Sequence, residues 1–273
     1  MKKILMIISL VLICLFLYGK YIEINNLKVK EYTIYNENIT DSFKELKIVH
    51  FSDILYKSKN NQDYLKDLVT KINEQNADIV IFSGDLFFKE EKYNNNDINF
   101  LKNILNTIEA SLFKFAVIGD NDKLFLDKYK DILYESNFIL LDNENKLVFY
   151  KDITPINVIG ITNLENIDSL LESEISYNYT LAITHEPDNL EKLSNYKIDT
   201  ILSGHSLGGI INIPYYGGII TSNGAKTYIN DYYKLNNSEI YISNGIGNKK
   251  FDFRLFNTPS INIYRFDNTK KES

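Results

Sequence analysis

Hydrophobic positions along the chain follow three patterns in turn. The first is a continuous apolar run, "ILMIISLVLICLFLY" from Ile4 to Tyr18, preceded by Lys2 and Lys3. A run of about fifteen residues is short of the roughly twenty that span a bilayer. It reads, in order of preference, as an uncleaved N-terminal anchor, a cleaved signal segment, or a buried helix. Leu17, two positions before Gly19, spoils the pair of small residues a cleavage site wants, and Ile13 argues against lipid attachment at Cys14. Lys20, Lys28 and Lys30 on the far side weaken any orientation rule based on charge. The reading is therefore a membrane-anchored protein with its bulk outside the cytoplasm, or a secreted one if the segment is cleaved.

The second and third patterns interleave. "LKVKEYTIY" alternates with the period of a strand leading away from the anchor. Leu65, Leu68, Val69 and Ile72 share one helical face, as do Ile98, Leu101, Leu105 and Ile108, with Asn96 or Asp97 as the expected cap. A third helix is expected through "LDKYKDILYES", and "NFILLDNENKLVFYKDITPINVIGIT" reads as strands joined by Asn/Asp turns. Short β-rich runs alternating with amphipathic helices are the signature of a layered α/β fold. The expected organisation is an anchor over 1–20, a juxtamembrane strand over 21–45, one catalytic-type domain over 46–267 and a tail over 268–273. At 273 residues the chain is long enough for one large core. A net charge of −6 gives no basic footprint, so no nucleic-acid partner is expected. The single cysteine, Cys14, excludes a disulfide framework and a thiolate metal site.

The chemistry lies where the β-rich runs end. "LKIVHFSD" ends at Asp53, "ADIVIFSGD" at Asp85, "FKFAVIGDND" at Asp120 to Asp122, "TLAITHEP" leads to His185, and "DTILSGH" ends at His205. Ligands in α/β sheets bind beyond the carboxyl ends of the strands. Any one of these endings is ordinary turn chemistry. The ordered set points to a metal cluster, because unpaired carboxylates against an apolar sheet would be poorly solvated. His50, inside a strand run, reads as a structural histidine.

This series resembles the calcineurin-like metallophosphoesterase superfamily, in particular its membrane-anchored or exported bacterial branch, over roughly Leu46 to Phe266. "GHSLGG", "IPYYGG", "YISNGIGN" and "RLFNTPSINIY" extend the likeness past the ligands. The resemblance implies a four-layer αββα sandwich, two mixed sheets flanked by helices, with two metals at the strand ends. Asp53, Asp85, His185 and His205 match family ligands. Leu55 and Leu207 stand where the family has histidines, Asp120 where it has asparagine, and Asn121 where it has the third motif's histidine. Ile210 stands where the branch often carries glutamine.

The departures fall unevenly. By that resemblance one metal would use Asp53, Leu55, Asp85 and Leu207, and two of those cannot bind. The other would use Asp85, Asp120, His185 and His205, a complete set suited to Mn²⁺, Fe²⁺ or Zn²⁺. One divalent ion rather than two is expected. Two-metal phosphoesterases clamp the attacking and leaving oxygens between the ions, and an amide at position 121 cannot deliver a proton. The expectation is weak or lost phosphoester hydrolysis. The alternatives are an active phosphodiesterase or phosphomonoesterase with a mononuclear site, a non-catalytic membrane-anchored binding module, and a residual fold without metal. Expected partners are membrane lipid, through the N-terminal segment, and a phosphorylated small molecule or lipid. Loops such as "YKSKNNQD" and "FFKEEKYNNND" would set specificity, and Tyr215 and Tyr216 either line the pocket or pack in a strand.

Overall fold

Short apolar strands buried on both faces build a two-sheet interior. The computed structural model describes residues 1–57, 62–165, 167–171, 177–213, 215–219, 221, 223–249 and 252–269. Part of "YKSKNNQD" and the last four positions of the tail lie outside the described residues. In chain order the strands are β1 (Lys28–Tyr35), β2 (Lys47–Phe51), β3 (Ile79–Phe82), β4 (Phe113–Ala116), β5 (Ile139–Leu140), β6 (Glu144–Val148), β7 (Ile156–Ile161), β8 (Thr180–Thr184), β9 (Thr200–Ser203), β10 (Asn212–Ile213), β11 (Gly217–Gly218), β12 (Tyr232–Leu235), β13 (Ser238–Ile242) and β14 (Ser260–Asp267). The helices are α1 (Lys2–Leu17), α2 (Gln62–Asn73), α3 (Asn95–Asn106), α4 (Leu126–Glu135), α5 (Ile167–Leu171) and α6 (Leu190–Leu193).

One sheet runs β1-β14-β2-β3-β4-β5 and the other β12-β13-β9-β8-β7-β6. Both are mixed: β14 is antiparallel to β2, and the edge strands β12 and β6 are antiparallel to their neighbours, while the centres are parallel. Parallel strands need both faces covered. Ile79 and Ile81 of β3 and Phe115 of β4 face inward onto Leu181, Ile183 and Leu202 of the opposing sheet. Val80 and Phe82 face outward under Leu65, Leu68, Ile72, Leu101 and Ile132 of α2, α3 and α4. On the far side Ile167, Leu190 and Leu193 of α5 and α6 cover Ala182, Ile201 and Ile240. The result is the four-layer αββα sandwich. Burying even one such isoleucine or leucine side chain contributes roughly 1.5–3 kcal/mol.

The helix expected near Asp97 starts earlier than its apolar stripe. Asn94 is the cap, accepting from the amides of Asn96 and Asp97, and Asp97 returns a bond to the Asn94 amide, closing a capping box. Ile108 packs into the same cluster after the helix has ended at Asn106. Before the domain, α1 continues through a π-helical turn (Tyr18–Ile22) and a 3₁₀ turn (Glu23–Asn25). The continuous helical stretch Lys2–Asn25 has 24 residues and is long and apolar enough to cross a membrane, spanning about 36 Å. The helix is longer than the apolar run because these two turns extend it without a break. α1 buries none of its residues. Its base docks instead: the Gly19 carbonyl accepts from the Arg254 amide at 3.3 Å, and Phe16 stacks on Phe253 with centroids 5.6 Å apart. The Glu23 carboxylate accepts from the Phe256 amide at 2.9 Å and the Thr258 hydroxyl at 3.2 Å. β1 then pairs in parallel with β14, Lys28 opposite Ser260, so the segment following the helix is part of the first sheet.

His50 lies fully buried in β2, with Nε2 2.8 Å from the Ser83 hydroxyl and Nδ1 3.3 Å from the Tyr264 hydroxyl. Burial pushes its imidazole down to about 3, so it is neutral in the folded chain. The unfolded chain takes up that proton near pH 6.5. The stabilising contribution is therefore full above about pH 6.5 and is lost as the pH falls toward about 3. His50→Gln is expected to flatten the fall in urea midpoint between about pH 7 and 5; an unchanged slope would assign that fall to other groups.

Candidate metal centre

The polar residues at the strand ends share an unusual backbone. Asp53, Asp85 and His205 have φ of +52°, +62° and +64°, and Leu55 and Leu207 have +47° and +49°. The left-handed region costs a non-glycine residue roughly 1–2 kcal/mol, and such strain collects at functional sites, held by its surroundings. At the Asp85 turn the hold is a backbone-to-backbone approach. Gly84, at φ +91°, has no room for a Cβ, which would fall 2.5 Å from the Gly119 amide nitrogen.

These turns bring Asp53, Asp85, His185 and His205 together, all buried, with one ligand atom from each within 4.8 Å of all the others. Both imidazoles are oriented by backbone carbonyls. His185 Nδ1 lies 2.7 Å from the Ser83 carbonyl and His205 Nε2 is bonded to the Asn223 carbonyl. A carbonyl only accepts, so each of those nitrogens carries the hydrogen. The inward pair, His185 Nε2 and His205 Nδ1, are then 2.9 Å apart, with the Asp85 carboxylate 3.3 Å from His185 Nε2, so with both imidazoles neutral two lone pairs would face each other beside an anion. Such a cavity calls for a cation. Without metal, burial lowers the His185 pKa but Asp85 outweighs it, and the imidazole rises to about 10. His205 is lowered by burial and by the charge of His185. Two imidazoles and two carboxylates converging on an electron-rich, dehydrated point fit a divalent transition metal.

The converging group differs from the four-residue set the resemblance implies for one seat. Asp53 belongs to it, its Oδ2 also accepting from the His205 amide at 2.9 Å. Asp120 stands at the rim, paired with Lys123 at 2.8 Å, its Oδ2 4.0 Å from His205 Nδ1. Burial raises its pKa, but hydrogen bonds from Glu186 and Lys123 outweigh that and hold it at about 2. Asn121 turns inward and bonds Asp85 twice, through its amide nitrogen at 2.8 Å and its side-chain Nδ2.

At the two positions where the resemblance implies further histidine ligands, Leu55 and Leu207 join Phe88 in a small apolar cluster of their own. Gly245 is pressed against it, since a Cβ there would meet Leu207 Cδ2 at 2.5 Å and Asp53 Cβ at 2.9 Å. Lys57 Nζ lies 5.0 Å above the Phe88 ring. Ile210 is half-buried, its carbonyl accepting from the Leu255 amide. Tyr215 and Tyr216 neither pack in a strand nor reach these ligands; they are fully exposed in the turn between β10 and β11.

A model of the calcineurin-like phosphoesterase family matches residues 46–209. The chain belongs to that family. It is 26% identical to the metallophosphoesterase YkuE of Bacillus subtilis, covering 92% of this chain and 90% of that protein. It is also 26% identical to the metallophosphoesterase YkoQ of the same species, over 97% of this chain and 100% of that one. The UDP-2,3-diacylglucosamine pyrophosphatase LpxG of Chlamydia muridarum is 24% identical, over 81% of this chain and 83% of its own.

Several residues that build this metallophosphoesterase site carry no sequence signal. The carbonyls of Ser83 and Asn223 orient the imidazoles, and nothing in a side chain announces a carbonyl. Phe88, thirty-three positions after Leu55, closes the apolar cluster through folding alone. Asp122 looked like one more acid in "GDND". It is fully buried, and its carboxylate accepts from the amides of Asp85, Leu86, Phe87 and Gly119 at 2.7, 2.9, 3.2 and 3.0 Å. Burial and then the Asp85 charge push it up to about 7, against the pull of the Gly119 and Phe87 amides. It therefore ties the Asp85 turn to the Asp120 turn. Asp122→Ala strands four buried amide donors and is expected to cost about 3 kcal/mol or more in urea denaturation, with Asp122→Asn costing less. An Ala variant with an unmoved midpoint would show that water replaces the carboxylate.

Proposed function

We propose that this metallophosphoesterase-family protein is membrane-anchored, holds one divalent cation, Mn²⁺, Fe²⁺ or Zn²⁺, and hydrolyses phosphate esters weakly or not at all. Asp53, Asp85, His185 and His205 would hold the ion, with Asp120 one side-chain rotation away at the rim. The observation that carries the reading is the Leu55–Leu207–Phe88 cluster beside a convergent four-residue group: one seat is built for a cation and its neighbour is apolar. The chemistry a divalent ion supplies when bound is polarisation of a phosphoryl oxygen. The chain's own residues do the rest. Ser83 and Asn223 fix the tautomers, Asp122 holds the turns, and Asn121 is tied to Asp85 rather than aimed at a leaving group. An amide at that position donates a hydrogen bond but delivers no proton, and a missing general acid costs about 10²–10⁴-fold in rate.

The likeness to a pyrophosphatase named for a UDP-linked acylated sugar, together with the apolar N-terminal helix, supports a phosphorylated lipid or lipid-linked phosphate as the ligand class. Packing of Gly19 and Glu23 against residues 253–258 of the domain supports the anchored reading over a cleaved leader, and a domain outside the cytoplasm is the orientation proposed with it. The domain proper is taken as 46–267, with β1 its accessory edge strand.

Elemental analysis of the full-length chain purified in detergent without a histidine tag is expected to find about one equivalent of transition metal, absent in His205→Ala. No metal in the wild-type chain would overturn the reading. Against an activated phosphodiester with added Mn²⁺, the triple variant Leu55→His, Asn121→His, Leu207→His is expected to gain about 10²-fold or more. Wild-type turnover that this variant fails to exceed would mean that the apolar cluster does not limit the chemistry.

A further inference from the structure

Residues 206–225 contain no Asp, Glu, Lys or Arg, in a chain that is 24% charged. This stretch leaves the site just after His205, forms the β10–β11 hairpin, and returns so that the Asn223 carbonyl accepts from His205 Nε2. Near the site Leu207 is buried and Ile210 half-buried, but at the hairpin the apolar side chains are exposed: Tyr216 is 91% and Ile219 60% accessible, and Tyr215 is fully so. Isolated exposed apolar residues need no explanation, but a contiguous patch does. Tyr21, Ile22 and Phe256, also exposed, bring this patch to the base of the N-terminal helix.

Three consecutive residues make the connection. The Arg254 amide donates to Gly19 at the helix base, Leu255 pairs with the hairpin root through Ile210 and Asn212, and the Phe256 amide donates to Glu23. Consecutive Cα atoms are about 3.8 Å apart, so hairpin root and helix base lie within roughly 10 Å, and Tyr215 is within a further ~13 Å of Ile211. A headgroup layer is only about 5–8 Å thick on each side of the hydrocarbon core. Tyrosines, with an apolar ring and a polar tip, gather at that depth.

We propose that the β10–β11 hairpin, with Tyr21, Ile22 and Phe256, is a membrane-contact surface that seats in the headgroup layer of the bilayer that α1 crosses. The proposal rests on the anchored reading above. Continuity with α1 selects a bilayer over a soluble protein partner, and the absence of charge over 206–225 fits entry into the interface. Because both ends of this stretch belong to the turn carrying His205, seating the hairpin places the rim of the site at lipid phosphate depth. The anchor sets distance and the hairpin sets orientation.

The chain has no tryptophan, so a single introduced indole is a clean reporter. Full-length Tyr216→Trp, Leu10→Trp and Tyr134→Trp are reconstituted in vesicles of phosphatidylethanolamine and phosphatidylglycerol, with or without bromine near the acyl carbonyls or deep in the chains. Tyr216→Trp is expected to be blue-shifted and quenched roughly twofold by the shallow bromine only, as interfacial aromatics should be. Leu10→Trp should respond to the deep bromine, and Tyr134→Trp, on α4, to neither. If Leu10→Trp is quenched while Tyr216→Trp behaves like Tyr134→Trp, the hairpin proposal fails and the anchor stands. If Leu10→Trp is unquenched, the anchor fails and the proposal with it. A blue shift of Tyr216→Trp without quenching would place the hairpin against protein, such as a second copy, and also overturns it.

Discussion

Two imidazoles held by carbonyls so that their inward nitrogens meet 2.9 Å apart, beside a buried carboxylate, set the terms for the rest of this site. Such an arrangement is repulsive unless positive charge sits within it. The chain still supports it at a cost: left-handed backbone at Asp53, Asp85 and His205, and a fully buried Asp122 gathering four amides. Strain of this kind persists only where the surroundings over-determine it.

Leu55 and Leu207 make the contrast direct. Both have left-handed φ, two positions after Asp53 and His205, so each turn sets an apolar side chain beside a polar one. Phe88 and Gly245 complete the packing around them.

The C-terminal turn links this site to the N-terminal helix. The buried Arg254 guanidinium donates to the carbonyls of Asn244, Gly245 and Gly247 and to Asn248 Oδ1. In return the Gly247 amide donates to the Asp53 carbonyl at 2.7 Å and the Ile246 amide to Ser52 at 2.9 Å. The Arg254 amide meanwhile bonds Gly19. A single residue thus spans from the base of the apolar helix to the turn that carries a ligand, giving the hairpin and the site a common frame.

Periodicity alone located the three long helices and most strands, because a stripe at 3.6 or an alternation at 2 is a property of neighbours in sequence. It also marked which strand ends bear the polar residues that converge, since each polar residue directly follows an apolar run. The α3 cap was misplaced by two or three residues because Asn94, Asn96 and Asp97 are equally good caps and only the backbone path chooses among them. The sequence by itself determined the kinds of donor available and that two positions were apolar. Which four donors meet, that Asp53 joins them while Asp120 turns to Lys123, and that Phe88 seals the neighbouring wall were decided only by the tertiary structure. Convergence depends on turns from separate strands approaching within a few ångströms, and on carbonyls whose direction no side chain encodes.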